Sequence, residues 1–416
     1  MFDLPKIVEC VPNFSEGRDK EKVNTIVSSM TAISGVTLLD QESDPDHNRS
    51  VVTIVGEPDA VLKAVFEGIK KATELIDLRT HKGEHPRMGA TDVAPFIPIS
   101  NVTMEECIEL SKKLGVKVAE ELKIPVYLYE ESATRPDRVN LAVVRKGQFE
   151  GIRDEIKTNP DRKPDFGPSE VHPSAGAIAI GARMILVAYN VNLAHPDVTY
   201  AKEIGKAIRY KNGGFRYTKA MGFEIKARNI TQVSMNMVNY IGTPIHRAFE
   251  FVKHESKRYG INVIGSEVVG LTPLRVLTHA SEHFLHSSTI TEDQIVWDAL
   301  DAKMSFAITP GIFSEEIASE LCTAISEQSG GFKGVEATAD NQTIQIVIQD
   351  TKETALHRVF HTILSELERF GTTVTKTTIT TIPVEVIIAT ADFYLQIENF
   401  KPDQILEVRL KQKQSN

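Results

Sequence analysis

The chain has 416 residues, with 47 Lys+Arg against 56 Asp+Glu and a formal net charge of −9. Its 41% hydrophobic and 25% charged residues exclude disordered and collagen-like chains, and the acidic balance excludes a general duplex-binding surface while leaving room for a local basic pocket. No apolar run reaches the ~18 residues of a membrane helix, and Met1 to Glu9 carries no basic segment ahead of an apolar core; at roughly 150 residues per domain, the length predicts a cytoplasmic protein of two or three domains.

In chain order, Lys6–Val11, Val36–Asp40 and Val51–Val55 read as strands, and Pro58–Leu78 keeps apolar residues at helical spacing. Thr103–Leu122 reads as a helix opened by the capping pair Thr103 and Glu106, with a strand at Val126–Tyr129 behind it. Lys157–Ser174 is dense in proline and charge and predicts an unusually long loop. Ala179–Asn192 reads as one buried strand and Val198–Tyr210 as a helix; strand and helix signals recur at Thr231–Asn239, Ile245–Tyr259 and Ile261–Ile264. The second half repeats the style of the first without sequence identity that would demonstrate a duplication. Beyond residue 303 the pattern is strand at Met304–Ile308, helix at Glu315–Glu327, strands at Gly334–Thr338 and Thr343–Gln349, helix at Glu353–Phe370 and strand at Val374–Ile382. That order is βαββαβ, a ferredoxin-like module whose two ends lie together, which makes it easy to insert into a host. The fold class predicted is α+β, built as α/β layers.

Cys10, Cys107 and Cys322 are odd in number and far apart, so neither a disulfide framework nor a Cys-x-x-Cys metal site follows. The densest polar segment, Arg79 to Arg87, places three Lys/Arg and two of the twelve histidines within nine residues. Its stretch His81–His85 also spells His-x-x-Glu-His, the inverted zinc-peptidase signature, but that motif works only on a helix, and Gly83 and Pro86 stand where the helix would run. A loop holding imidazoles beside cations fits proton transfer next to a carboxylate site, against the plain alternative of a solvated basic loop. His279, His283 and His286, and likewise His357 and His361, share helix faces and read as polar helix surface. Pro12–Gly17, at the carboxyl end of the first strand, and Asp44–Arg49, a polar turn, are further ligand candidates, although turn chemistry alone explains such segments as often.

Taken together, Val8–Gly17, Asn48-Arg49, His81-Lys82-Gly83-Glu84-His85-Pro86-Arg87-Met88-Gly89-Ala90 and Asp165-Phe166-Gly167-Pro168-Ser169 resemble the glutamate formimidoyltransferases, or formiminotransferases. The similarity continues through Gly265–Leu271 to about Leu277 and resumes from Ala389 to Glu407, with Ala391–Gln396 and Phe400–Glu407 as its clearest stretches. The resemblance implies two tandem ferredoxin-like subdomains, 1–181 and 182–288, the second completed by 389–416, with the extra module at 289–388 inserted near the C-terminus and without the fused cyclodeaminase of animal members. It implies transfer of a formimidoyl group from N-formimidoyl-L-glutamate to N5 of tetrahydrofolate, a step of histidine degradation, with tetrahydrofolate as co-substrate, no metal, and His85 as the catalytic residue. The folate loop then corresponds to Gly167, Pro168, Ser169, Glu170, Val171, His172, Pro173, Ser174, Ala175 and Gly176. Arg49, Arg79, Lys82, Arg87 and Asn13, with Arg183 in addition, are expected to meet the substrates' carboxylates, and Asp40 or Glu42 to orient His85. The implied partners are small molecules, formimidoylglutamate and folate, polyglutamylated folate included. A homodimer is implied, and neither nucleic acid nor membrane. The competing readings are a folate-binding regulatory protein without turnover, a transferase using 5-formyltetrahydrofolate or formimidoylglycine as donor, and a metallopeptidase built on His81 and His85.

Overall fold

A computed structural model describes residues 5–291, 294–296, 302–308, 319–320, 323–324, 336–340, 343–348, 355–369, 374–407 and 409–410. The chain divides into an N-terminal unit, residues 2–184, and a C-terminal unit beginning at Ile185.

The N-terminal unit runs β1 (Ile7–Cys10), β2 (Asn13–Phe14), α1 (Lys20–Thr31), β3 (Val36–Asp44), β4 (Arg49–Gly56), α2 (Pro58–Leu75), β5 (Thr91–Ser100), α3 (Met104–Lys117), β6 (Val126–Glu130), α4 (Leu141–Val144), α5 (Gln148–Glu155) and β7 (Ile178–Ala182). β1 and β2 form one broken strand, and both pair antiparallel with β4 on one side and β5 on the other. β3 lies outside β4, and β7 and then β6 continue the sheet in parallel beyond β5. The order β3-β4-β1-β5 is that of a ferredoxin-like βαββαβ unit, widened by two parallel strands.

Local chemistry sets these elements. Asp19 caps α1 by accepting from the backbone N–H groups of Glu21 and Lys22, and Pro58 occupies the first turn of α2, where its missing N–H costs nothing. The expected capping box is formed: Thr103 N–H donates to Glu106 Oε2 at 2.8 Å and Glu106 N–H to Thr103 Oγ1 at 3.2 Å. The helix it opens stays α-helical only to Lys117 and finishes in a π turn, Val118–Leu122. β5 has no counterpart in the pattern read from the sequence, because Pro95 and Pro98 lie inside a strand paired on both sides. The register shift between Ile7 and Val8 falls opposite Pro98.

The strand expected over Ala179–Asn192 is two strands. β7 ends at Ala182 in the N-terminal sheet, and β8 (Val187–Leu193) opens the C-terminal one. The C-terminal unit continues with α6 (Val198–Ile208), β9 (Thr218–Ile225), β10 (Ile230–Met237), α7 (Ile245–Lys257), β11 (Val263–Val269) and α8 (Leu274–Phe284). Its strand order β11-β8-β10-β9 is again ferredoxin-like. Alternate residues Tyr189, Val191, Val233 and Met235 face the core with Ala201, Ile204, Phe249 and Val252 of the helices.

A further sheet in this unit joins β12 (Ile295–Val296), β13 (Ala302–Ile308), β14 (Glu336–Asp340), β15 (Thr343–Ile348) and β16 (Val374–Pro383), in the order β12-β16-β13-β15-β14, with α9 (Ala355–Arg369) between β15 and β16. The helix expected over Glu315–Glu327 lies almost wholly outside the described residues, as does Cys322. α10 (Val384–Leu395) follows, and the chain then returns to the second sheet: Ser266 N–H donates to Gln396 O and Glu398 N–H to Ser266 O, both at 2.7 Å, and Thr272 N–H to Gln404 O at 2.8 Å.

His283 and His286 are exposed and His279 half-buried. They are not an isolated polar surface, since His283 stacks on the buried His246 with ring centroids 4.5 Å apart. His361 is exposed; the side chain of His357 lies outside the described residues.

Candidate active site

Asn48 is the hub of the N-terminal unit's polar centre. Its backbone sits in the left-handed region at φ 48°, which asparagine tolerates better than most residues. Its side-chain Oδ1 accepts from Gly17 N–H at 3.0 Å, its Nδ2 donates to Lys82 O at 3.0 Å, and its carbonyl meets His81 Nε2 at 2.9 Å. Glu84 N–H adds a bond to Asp46 O at 3.2 Å, and Ser15 Oγ one to Gly89 O at 2.7 Å. The three segments singled out in the sequence, 12–17, 44–49 and 81–90, are thus hydrogen-bonded to one another.

The proline-rich loop joins them. Leu78 N–H donates to Ser174 O and Ala90 N–H to Ala175 O, both at 2.8 Å, while Gly89 and Gly176 face each other in a bridge. His172 and Gly176 exchange two 2.9 Å backbone bonds, and His172 Nδ1 accepts from Ala175 N–H at 3.0 Å. The loop accordingly has two parts. Val171 to Gly176 adjoins the histidine motif. Gly167, Pro168, Ser169 and Glu170 are exposed, with Gly167 close against Ile124 and Ala119 and Glu170 paired to Lys157 at 2.8 Å; Pro173 is exposed and Ala175 buried.

The two histidines of the motif are unlike. His81 is fixed on both sides: Nε2 faces a carbonyl and so carries the proton, and Nδ1 accepts from Arg87 Nε at 3.3 Å. Among the described residues nothing hydrogen-bonds the ring of His85, which stands edge-on to His47 at 6.3 Å. Burial, then the positive charges of Arg49 and Arg145, push His85 down to about 3, so at neutral pH it is an uncharged base with a free lone pair. The 81–87 stretch is irregular, so His81 and His85 do not share a helix face as the zinc signature requires. Among the described residues no group of three or more His, Cys, Asp or Glu side chains is arranged to hold a metal ion, and no helix is long and apolar enough to cross a membrane.

The expected carboxylate-binding residues divide. Arg49, half-buried, donates Nε and Nη2 to Asn13 Oδ1 at 3.0 and 2.7 Å, and its charge reaches His85. Lys82 is exposed. Arg79 is exposed and forked onto Asp77, with Nε to Oδ1 at 2.9 Å and Nη2 to Oδ2 at 2.5 Å. Arg87 is buried and bidentate to Glu150 at 2.8 and 2.7 Å, so it ties α5 to the motif. Arg183 acts on the charges of Glu9, Cys10 and Tyr129 rather than on His85. Neither Asp40 nor Glu42 reaches His85 through a hydrogen bond; burial and the neighbouring Asp40 push Glu42 upward instead. Two site residues escaped the sequence reading. Asp92, buried, accepts Met88 N–H at 2.7 Å and pairs with Arg145, the residue that ends α4. Neither belongs to a recurring pattern; their shared signal is only a charge beside an apolar run.

The geometry gives a candidate acid–base site: an uncharged imidazole in the field of Arg49 and Arg145, on a ferredoxin-like sheet. The chain belongs to the formiminotransferase family. Residues 7–183 match the formiminotransferase domain's N-terminal subdomain and residues 188–306 the formiminotransferase domain. It is similar to a glutamate formimidoyltransferase of Streptococcus pyogenes serotype M1, 51% identical over 68% of this chain and 94% of that protein. A glutamate formimidoyltransferase of Thermoplasma acidophilum is 48% identical over 70% of this chain and 96% of that one. The formimidoyltransferase-cyclodeaminase of Rattus norvegicus is 39% identical over 68% of this chain and 53% of its own length.

Proposed function

We propose that this chain is a glutamate formimidoyltransferase, moving the formimidoyl group of N-formimidoyl-L-glutamate to N5 of tetrahydrofolate and releasing L-glutamate. The observation that carries the chemistry is the neutral ring of His85, not hydrogen-bonded among the described residues and lying in the field of Arg49 and Arg145. As N5 adds to the amidine carbon, N5 must lose a proton, and the glutamate nitrogen leaves only after gaining one. A single imidazole that is unprotonated at rest takes the first and returns the second. Burial and cationic neighbours keep His85 unprotonated at rest and, once charged, strongly acidic toward the leaving nitrogen.

Tetrahydrofolate is the co-substrate in this reading, and no metal takes part. The strap of Val171–Gly176 against Leu78–Ala90 supports folate binding beside His85, with Gly167–Glu170 reaching the more exposed part of the ligand. Asn13 holds Arg49 toward the site, Lys82 offers an exposed cation, and Arg79 and Arg87 set the shape of the motif through Asp77 and Glu150. The working unit is a homodimer in the cytoplasm. The domain assignment stands beside this: 1–181 and 182–288 as the two subdomains, the latter completed by 389–416, with 289–388 as an inserted ferredoxin-like module. The strand order β16-β13-β15-β14 and the return of the chain after α10 to Ser266 and Thr272 support it.

His85→Ala tests the reading in a direct assay with both substrates. The kcat is expected to fall by ~10²- to 10⁴-fold while folate still binds, because the ring moves protons and does not hold the pterin. A variant keeping more than a tenth of wild-type kcat would remove His85 from the mechanism.

A further inference from the structure

Arg145 is a cation near His85 whose guanidinium is only partly used. One end of its guanidinium, Nη2, pairs with Asp92 Oδ2, while the other Asp92 oxygen accepts Met88 N–H at 2.7 Å and so anchors the pair to the histidine motif. Its Nε–H is buried and has no acceptor among the described residues. Arg49 lies within its field, the two guanidiniums opposing each other's charge, and Arg49's own bonds go to the neutral amide of Asn13. Asp92 acts on both cations, with Asp44 and Glu42 adding to its effect on Arg49, but no carboxylate hydrogen-bonds Arg49 among the described residues, and with the unused buried donor this makes an arrangement that a bound anion completes. The other arginines of the motif are already matched, Arg79 by Asp77 and Arg87 by Glu150.

We propose that Arg145, backed by Arg49, binds the α-carboxylate of the amino-acid donor beside His85 and thereby selects α-amino-acid amidines over other formimidoyl compounds. The proposal rests on the transferase reading above. Its chemistry decides which carboxylate is meant. In formimidoylglutamate the α-carboxylate is bonded to the carbon that carries the leaving nitrogen, so whatever protonates that nitrogen is close to that carboxylate. The carboxylates of folate sit beyond the p-aminobenzoyl group, far from N5. A planar guanidinium holding Asp92 at one end and a substrate carboxylate through Nε–H at the other uses its fork in a way that an ammonium cannot reproduce.

The test uses the full chain with Arg145→Lys and Arg145→Gln. Because the glutamine variant strands Asp92 as a buried charge, the double variant Asp92→Asn/Arg145→Gln accompanies it. Two donors are compared, N-formimidoyl-L-glutamate and N-formimidoyl-4-aminobutyrate, which lacks only the α-carboxylate, each with tetrahydrofolate and with tetrahydropteroate, which lacks the glutamate tail. Expected is a KM for formimidoylglutamate raised at least tenfold in every variant, with the loss in kcat/KM at least tenfold larger for formimidoylglutamate than for the aminobutyrate donor. The acid limb of the kcat/KM profile should also move upward in the glutamine variants, since a cation opposing the charge on His85 has gone. Equal losses on both donors would reduce Arg145 to a structural role, and a loss that disappears with tetrahydropteroate would assign it to the folate tail; either overturns the proposal. Wild type inactive on every donor would overturn the transferase reading. The proposal is then still decided by calorimetry with L-glutamate, whose affinity for wild type should exceed that for Arg145→Lys at least tenfold; equal affinities overturn it.

Discussion

Asn48 shows how much one side chain carries. It spends two hydrogen bonds on Gly17 and Lys82 from a left-handed backbone, so Asn48→Ala loses the bonds and gains strain together. We expect a loss of about 2–4 kcal/mol in chemical denaturation, and Asn48→Gly, which keeps the backbone conformation, to recover about 1 kcal/mol of it. Both should lose activity, as the side chain bridges Gly17 and Lys82; variants as stable as wild type would refute the hub. Glu9 gives a pH prediction of definite sign. Burial drives its carboxyl up to about 7 from 4.5, with Arg183 pulling the other way. Between those values the folded chain keeps a proton that the unfolded chain has released, so stability falls as pH rises through that window. Glu9→Gln should therefore raise Tm more at pH 8 than at pH 5, the gain on the order of 2–3 kcal/mol at most. An equal shift at both pH values would place the effect elsewhere.

At the level of elements, Gly89 faces Gly176 where the motif meets the loop, and a Cβ on Gly89 would stand 1.9 Å from Ala177 O. Gly89→Ala should cost at least the ~1–3 kcal/mol of ordinary overpacking. Gly213, with φ 93° but open space around it, is the control: its alanine variant should lose only about 1 kcal/mol. Similar melting curves for the two would show that the approach of loop to motif is loose. Elements with clean periodicity or a capping signal were legible in the sequence, as α2, α3 and α7 show. β5 was not, because Pro95 and Pro98 read as breakers in the sequence, and only the pairing of β5 on both sides shows a strand through them. The span 179–192 was misread for a related reason. Two buried strands joined by a few residues carry the same apolar composition as one, and only the separate sheets distinguish them. In the site, the residues of compact motifs were visible as chemistry. Arg145 and Asp92 were not, since their meaning lies in a pairing across 53 positions.

For the whole molecule, the segment after α10 matters more than its position near the end of the chain suggests. Its bonds to Ser266 and Thr272, and that of Leu274 N–H to Glu407 Oε2 at 2.8 Å, close the second sheet and the start of α8. Ile363, Leu367, Ile379 and Ile382 also belong to the C-terminal unit's core, so the proposed insert is packed against its host. Joining Ser288 to Pro383 by a short Gly/Ser linker, which removes the proposed insert up to the start of α10 so that this helix stays whole, should give a folded protein with a Tm below that of the full chain, whereas ending the chain at Ser287 should give an insoluble one. Survival of the simple truncation alongside collapse of the linked version would overturn the insertion.

The bridge between Gly89 and Gly176 also governs when the site comes into being. During synthesis, β1 to β5 and the whole histidine motif emerge before β7, whose pairing with β5 brings Ala175 and Gly176 to the motif. Contacts so distant in sequence form late and slowly, and an emerging chain that stops short of Ile178 has every proton-handling group but no wall on one side of it. Nascent chains arrested before that strand should fail to retain folate, and chains released just after it should begin to do so.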